Sequence, residues 1–135
     1  NKRVKFIQEV CEALEIKNVT AIHSRAEDIA KDKKYREKFD ICVSRAVANL
    51  ASLSEYCLPL VKVGGSFVSY KSKGFDVEVN DAKKAIQVLG GEISDSIKFK
   101  LAEYGERILL DIKKVKPTAS KYPRKAGLPT KEPIR

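Results

Sequence analysis

The stretch that decides the fold reads Val19-Thr-Ala-Ile-His23, then Ser24-Arg-Ala-Glu-Asp28, a charged connector, and Phe39-Asp-Ile-Cys-Val-Ser-Arg45. Two short β-branched apolar runs each end on polar residues. That is the pattern of buried parallel strands whose carboxyl ends open onto a site. In open α/β sheets, ligands bind outside those ends. Glu27 and Arg45 each stand just past such an end, so both are candidate ligand contacts.

Upstream, residues 3–15 place Val4, Ile7, Val10, Cys11 and Leu14 on one helical face, and Lys17-Asn18 closes that helix. Residues 29–38 are rich in Lys and Asp and read as a solvated turn or short helix. Downstream of the second strand, Asn49 suits the cap of a helix running through Leu50, Leu53 and Cys57, with Pro59 near its end. Lys62-Val-Gly-Gly65 reads as a turn, Ser66 to Lys71 as a third strand, and Asp76 to Leu89 as a helix stopped by Gly90-Gly91. Residues 93–101 and 107–115 flank a turn and predict a closing antiparallel hairpin. Alternation of this kind predicts an α/β fold, a parallel sheet with helices on both faces. Residues 1–115 form that unit. Residues 116–135, with prolines at 117, 123, 129 and 133 and no periodicity, are expected to be an extended basic arm.

A chain of 135 residues, 43% hydrophobic and 33% charged, has the size and composition of one globular domain. No apolar run approaches the roughly 20 residues that span a bilayer. The N-terminus is basic but runs into an amphipathic pattern, unlike a signal peptide. The three cysteines include no C-x-x-C pair, which points to free thiols in a reducing cytoplasm and to no metal site. The net charge of +9 is uneven. Eight of the 27 basic residues but only one acid, Glu132, fall between Lys113 and Arg135. A cationic arm on a nearly balanced core suggests a polyanionic partner, with a solubilising tail as the competing reading.

Few residues carry obvious chemistry. Ser24-Arg-Ala-Glu27 fits the capping box S-x-x-E, and the same backbone can let Ala26 and Glu27 meet the adenine end of a nucleotide cofactor. Arg45 is costly at the end of an apolar strand unless it is paired or faces a cleft, and an ion pair to Asp40 or Glu55 is the structural alternative. His23 is the only histidine, and nothing beside it in sequence supplies a nucleophile and an acid. Lys71 and Lys73 follow the third strand and can reach a phosphate. Tyr122-Pro-Arg124-Lys125 joins a ring to cations, a combination that suits RNA. There is no G-x-G-x-x-G and no P-loop.

Several blocks together resemble one family. They are Arg25-Ala26-Glu27, Phe39-Asp40 leading into Ser44-Arg-Ala-Val-Ala48, Cys57-Leu-Pro-Leu-Val-Lys62, Gly64-Gly65, Gly105-Glu-Arg107 and Lys121-Tyr-Pro-Arg-Lys-Ala-Gly-Leu-Pro129. The chain is similar to the bacterial 16S ribosomal RNA guanine-N7 methyltransferases, the glucose-inhibited division protein B family. The resemblance implies a Rossmann-like methyltransferase sheet, S-adenosylmethionine as cofactor at Ala26, Glu27 and Arg45, and 16S ribosomal RNA or the small ribosomal subunit as partner. Lys71, Arg124 and Lys125 would then approach RNA phosphates, in a cytoplasmic protein that is monomeric at full length. The family's Gly-rich loop and ribose-binding strand normally precede the position of Asn1. This chain therefore reads as the carboxyl-terminal part of a longer enzyme. It is expected to leave an inner sheet edge exposed, to bind the cofactor poorly and to be inactive alone. A non-catalytic RNA-binding α/β module, or a different nucleotide-binding α/β protein, is the alternative.

Overall fold

The computed structural model describes residues 1–135 except Ala46, Val47 and Lys73. Two residues of the Ser44–Ala48 block, and the Lys73 expected near a phosphate, thus lie outside the described residues. The elements in order are α1 (Lys2–Ala13), α2 (Ala26–Lys31), β1 (Phe39–Arg45), α3 (Leu50–Cys57), β2 (Val61–Lys71), α4 (Phe75–Val88), β3 (Gly91–Lys100), β4 (Glu106–Lys114) and α5 (Leu128–Lys131). The strands form one sheet in the order β1-β2-β4-β3. β1 and β2 are parallel, and the two remaining pairings are antiparallel, with β3 and β4 closing the sheet as the expected hairpin.

Register explains where the core lies. Cys42 pairs with Phe67, Phe67 with Ile112 and Ile112 with Ile93, so these four share one face. That face packs on α3 and α4, burying Leu50, Leu53, Leu58, Phe67, Ile86, Leu110 and Ile112. Each such side chain contributes on the order of 1.5–3 kcal/mol. α3 begins where Asn49 accepts the Ser52 N–H at 3.0 Å. Seven of its eight residues are buried, because the sheet, α4 and the C-terminal segment surround it. Cys57 is buried and Cys42 half-buried, both as free thiols. Their mutual contact pulls the Cys42 thiol down and, with burial, pushes that of Cys57 well up.

Four expectations are corrected. Val19–His23 forms no strand: it has no ladder partner among the described residues, and an unpaired strand is marginal in water. Helices cover one sheet face, not both, because α1 buries none of its residues despite its apolar stripe. Lys62–Gly65 is not a free turn but an irregularity inside β2, where the ladder jumps from Phe39–Val61 to Ile41–Ser66. Gly64 sits there at φ +91°, and a Cβ on Gly65 would stand 2.5 Å from the Asp40 carbonyl. Finally, residues 116–135 are poor in regular structure but are not an extended arm. They run back across α2 and α3 and end in the short α5.

Candidate cofactor and nucleic-acid site

Arg45 ends β1 and pairs in register with Tyr70, which pairs with Leu109 and thence Ile97. This row points away from the helices. At its carboxyl end lies a mostly apolar hollow of about 670 Å³, lined by Arg45, Tyr70, Ser72, Phe99, Tyr104 and Arg107 among others. The two ion-pair partners considered for Arg45 are engaged elsewhere, Asp40 with Lys62 and Glu55 with Arg124. Among the described residues Arg45 makes no ion pair, so its guanidinium remains available over the hollow.

Glu27 is placed differently. It is only 6% exposed, and its Oε1 accepts the Gly127 N–H at 3.0 Å. The capping box does not form: Arg25 is the cap of α2 without a side-chain bond, and the Ser24 hydroxyl donates to the Arg25 carbonyl instead. Ala26, the first residue of α2, is exposed beside it. Glu27 thus ties α2 to the C-terminal segment, while Arg45 faces the hollow at the strand end; the two do not line that hollow together.

Two of the three cations expected at RNA phosphates are held inside the fold. Lys71 Nζ donates to Glu78 Oε1 at 2.6 Å and to the Ala48 carbonyl at 3.2 Å, and its side chain is 9% exposed. Glu78 also accepts the Leu50 N–H at 2.6 Å. Lys71 and Glu78 therefore tie Ala48 and Leu50 to β2 and α4. Arg124 grips the buried Glu55 through Nε and Nη2 at 2.8–3.2 Å, and its backbone N–H donates to the same carboxylate at 2.7 Å. Hydrogen bonding to Glu55 raises the already high Arg124 pKa. Lys125, by contrast, is exposed.

Three anchors escaped sequence reasoning. The Arg36 guanidinium donates to the carbonyls of Ala30 (3.1 Å), Thr118 (2.9 Å), Ala119 (3.0 Å) and Tyr122 (2.7 Å). Lys114 is buried, donates to the Leu58 and Val61 carbonyls and lies 3.3 Å from Glu37. Burial pulls its pKa down, and Glu37 partly offsets this. Glu55 carried a visible signal, as the only charged residue of α3. Arg36 and Lys114 carried none, since they sit in charged stretches like their solvated neighbours.

An α/β sheet with an open carboxyl edge, crossed parallel at β1–β2 and closed by an antiparallel hairpin, is the Rossmann-like arrangement of methyltransferases. It aligns with BH2331 of Bacillus halodurans C-125 at TM-score 0.58 and 17% identity, over 84% of this chain and 79% of that one. It also aligns with the M1.HpyAVI–SAM complex at TM-score 0.51 and 19% identity, over 71% of this chain and 56% of that one. A family model, GidB, described as rRNA small subunit methyltransferase G, matches residues 1–109, and the chain belongs to that family. Proteins named ribosomal RNA small subunit methyltransferase G are 53% identical in Alkaliphilus oremlandii over 136 residues and 47% identical in Clostridium kluyveri over 135. The matches cover 99% and 100% of this chain, which spans about half the length (56%) of those relatives.

Proposed function

We propose that this chain is the carboxyl-terminal part of an S-adenosylmethionine-dependent methyltransferase acting on guanine N7 of 16S ribosomal RNA. The observation that carries the reading is Arg45, a guanidinium without an ion pair among the described residues, standing over a hollow at the carboxyl edge of the sheet. That is where α/β sheets bind ligands. The residues present fit part of a cofactor site. Arg45 offers donors that suit a polar or anionic group. Glu27 has one oxygen committed to Gly127, and Ala26 is exposed next to it. We assign Ala26, Glu27 and Arg45 to the cofactor side and Lys125 to RNA, with Lys71 and Arg124 as the residues that hold the site's supports in place.

The chemistry asks little of acids and bases. Guanine N7 already carries a lone pair, so no proton has to leave before attack. When bound, S-adenosylmethionine supplies a methyl group activated by its sulfonium. The protein's part is alignment and exclusion of water, which the apolar walls of the hollow and Arg45 can serve. The protein works in the cytoplasm as a monomer, on 16S ribosomal RNA or the small ribosomal subunit. The part of the site upstream of Asn1 in the relatives is required for cofactor binding. The alternative, a non-catalytic RNA-binding module, is favoured only by the exposed cations of the C-terminal segment. Incubating the full-length protein with 16S ribosomal RNA and methyl-labelled cofactor decides between them. Mass spectrometry of the digested RNA should show 7-methylguanosine, and RNA binding without any methyl transfer would favour the module.

A further inference from the structure

Two sets of cations in this molecule contrast with each other. Arg36, Lys71, Lys114 and Arg124 are consumed by internal carboxylates and carbonyls. A second group is exposed: Arg25 and Lys31 at the two ends of α2, Lys33 and Lys34 in the following turn, and Lys121 and Lys125 in the C-terminal segment. None of these six forms an ion pair with an acid among the described residues.

The two segments are far apart in sequence but stitched together in space. The Arg36 guanidinium reaches the Thr118, Ala119 and Tyr122 carbonyls while also holding Ala30 at the end of α2. Near the start of α2, Glu27 holds the Gly127 N–H. The stitches lie on either side of Lys125 along the segment and at either end of α2. A helix of α2's length rises by about 9 Å, so a strip of cations along it spans roughly two to three phosphates of one nucleic-acid strand. Lys34 and Lys121 each sit 5.3 Å from the ring centre of the neighbouring tyrosine, Tyr35 and Tyr122, which narrows the sweep of their ammonium groups. Three exposed acids lie in the same segments, Asp28, Asp32 and Glu132. The Asp32 side chain accepts the Lys34 N–H at 2.9 Å. No large apolar side chain is exposed between residues 24 and 38 or between 117 and 135 among the described residues. The strip therefore offers charge without the apolar anchors that a membrane surface or a protein hot spot would use.

We infer that α2, its following turn and the docked C-terminal segment form one composite cationic strip that binds the phosphate backbone of the RNA substrate. This rests on the RNA reading above and adds to it a surface to which α2 and its turn contribute alongside the C-terminal segment. Such backbone binding positions RNA without reading its bases. The test uses the full-length protein and protein-free 16S ribosomal RNA, with affinity measured by fluorescence anisotropy across a salt series. Lys33→Gln/Lys34→Gln and Lys121→Gln/Lys125→Gln should each make the slope of log affinity against log salt shallower by about 1.4, at roughly 0.7 for each phosphate no longer neutralised. The exposed pair Lys83→Gln/Lys84→Gln on α4 should leave the slope unchanged. Wild-type binding with a slope that neither test pair alters overturns the inference but leaves the RNA reading standing. Weaker binding of the test pairs to anionic phospholipid vesicles, with RNA binding intact, overturns it in favour of a membrane role. Absence of RNA binding by the wild type at every salt concentration would remove the RNA reading and the strip together.

Discussion

The two sides of the sheet behave as different proteins would. On the helix side, the buried or half-buried charges have partners: Glu55 with Arg124, Lys114 with Glu37, and Arg36 with four carbonyls. On the other side, Ile41 and Val43 of β1 are 61% and 63% exposed; the apolar stripe of α1 likewise buries none of its residues, wherever it sits. A charge network costs free energy to bury and persists only when all its members are present. An apolar face left in water marks a surface that normally meets another element. The contrast teaches that the helix side is self-sufficient, whereas the open side is half of something. The relatives, of which this chain spans 56%, supply a natural candidate for the other half.

The largest effect should come from breaking the closed side. Glu55→Ala leaves Arg124 without its carboxylate and removes the acceptor of its backbone N–H. It should destabilise the fold by about 3–5 kcal/mol, read as the shift of a urea unfolding midpoint. A loss below about 1 kcal/mol would mean that the C-terminal segment is not anchored there. Arg36→Ala removes the clamp on Thr118–Tyr122. A cost of about 2–3 kcal/mol is expected, together with faster proteolysis after Lys121 and Lys125. Arg45→Ala sharpens the comparison from the other side, because Arg45 has no internal ion pair to lose among the described residues. In the full-length protein it should raise the cofactor Kd about tenfold, equal to about 1.4 kcal/mol, with little change in Tm. A fall in Tm at unchanged Kd would make Arg45 structural. The smallest effect on this chain itself is Val43→Thr. It should change the stability of this chain by less than about 0.5 kcal/mol, but cost about 1–3 kcal/mol in the full-length protein, where the hydroxyl would be buried.

Much of the fold was legible because local rules and global packing agree there. Asn49 caps α3 as its side chain suggests, the α4 stripe of Ala82, Ala85 and Ile86 is the face that is buried, and Gly90 at φ +90° ends that helix. Val19–His23 misled because its β-branched pattern describes what the segment would do beside a partner, and a strand exists only through its ladder. The C-terminal segment misled in the opposite sense. Prolines and charge look like a free arm, but Arg124, Gly127 and Pro129 meet acceptors and donors contributed by α2 and α3, up to 100 residues away. Long-range pairing of that kind leaves no periodicity to read. In the candidate site, Arg45 could be singled out because a guanidinium is out of place at the end of an apolar strand. Lys71 and Lys125 look alike in sequence, and only the position of Glu78 separates the internal cation from the exposed one.

The central claim is that the open side is an incomplete cofactor site. Isothermal titration calorimetry with S-adenosylmethionine, run in parallel on residues 1–135 and on the full-length protein, tests it most directly. The account predicts micromolar binding by the full-length protein and no measurable binding by residues 1–135. Micromolar binding by residues 1–135 would contradict it.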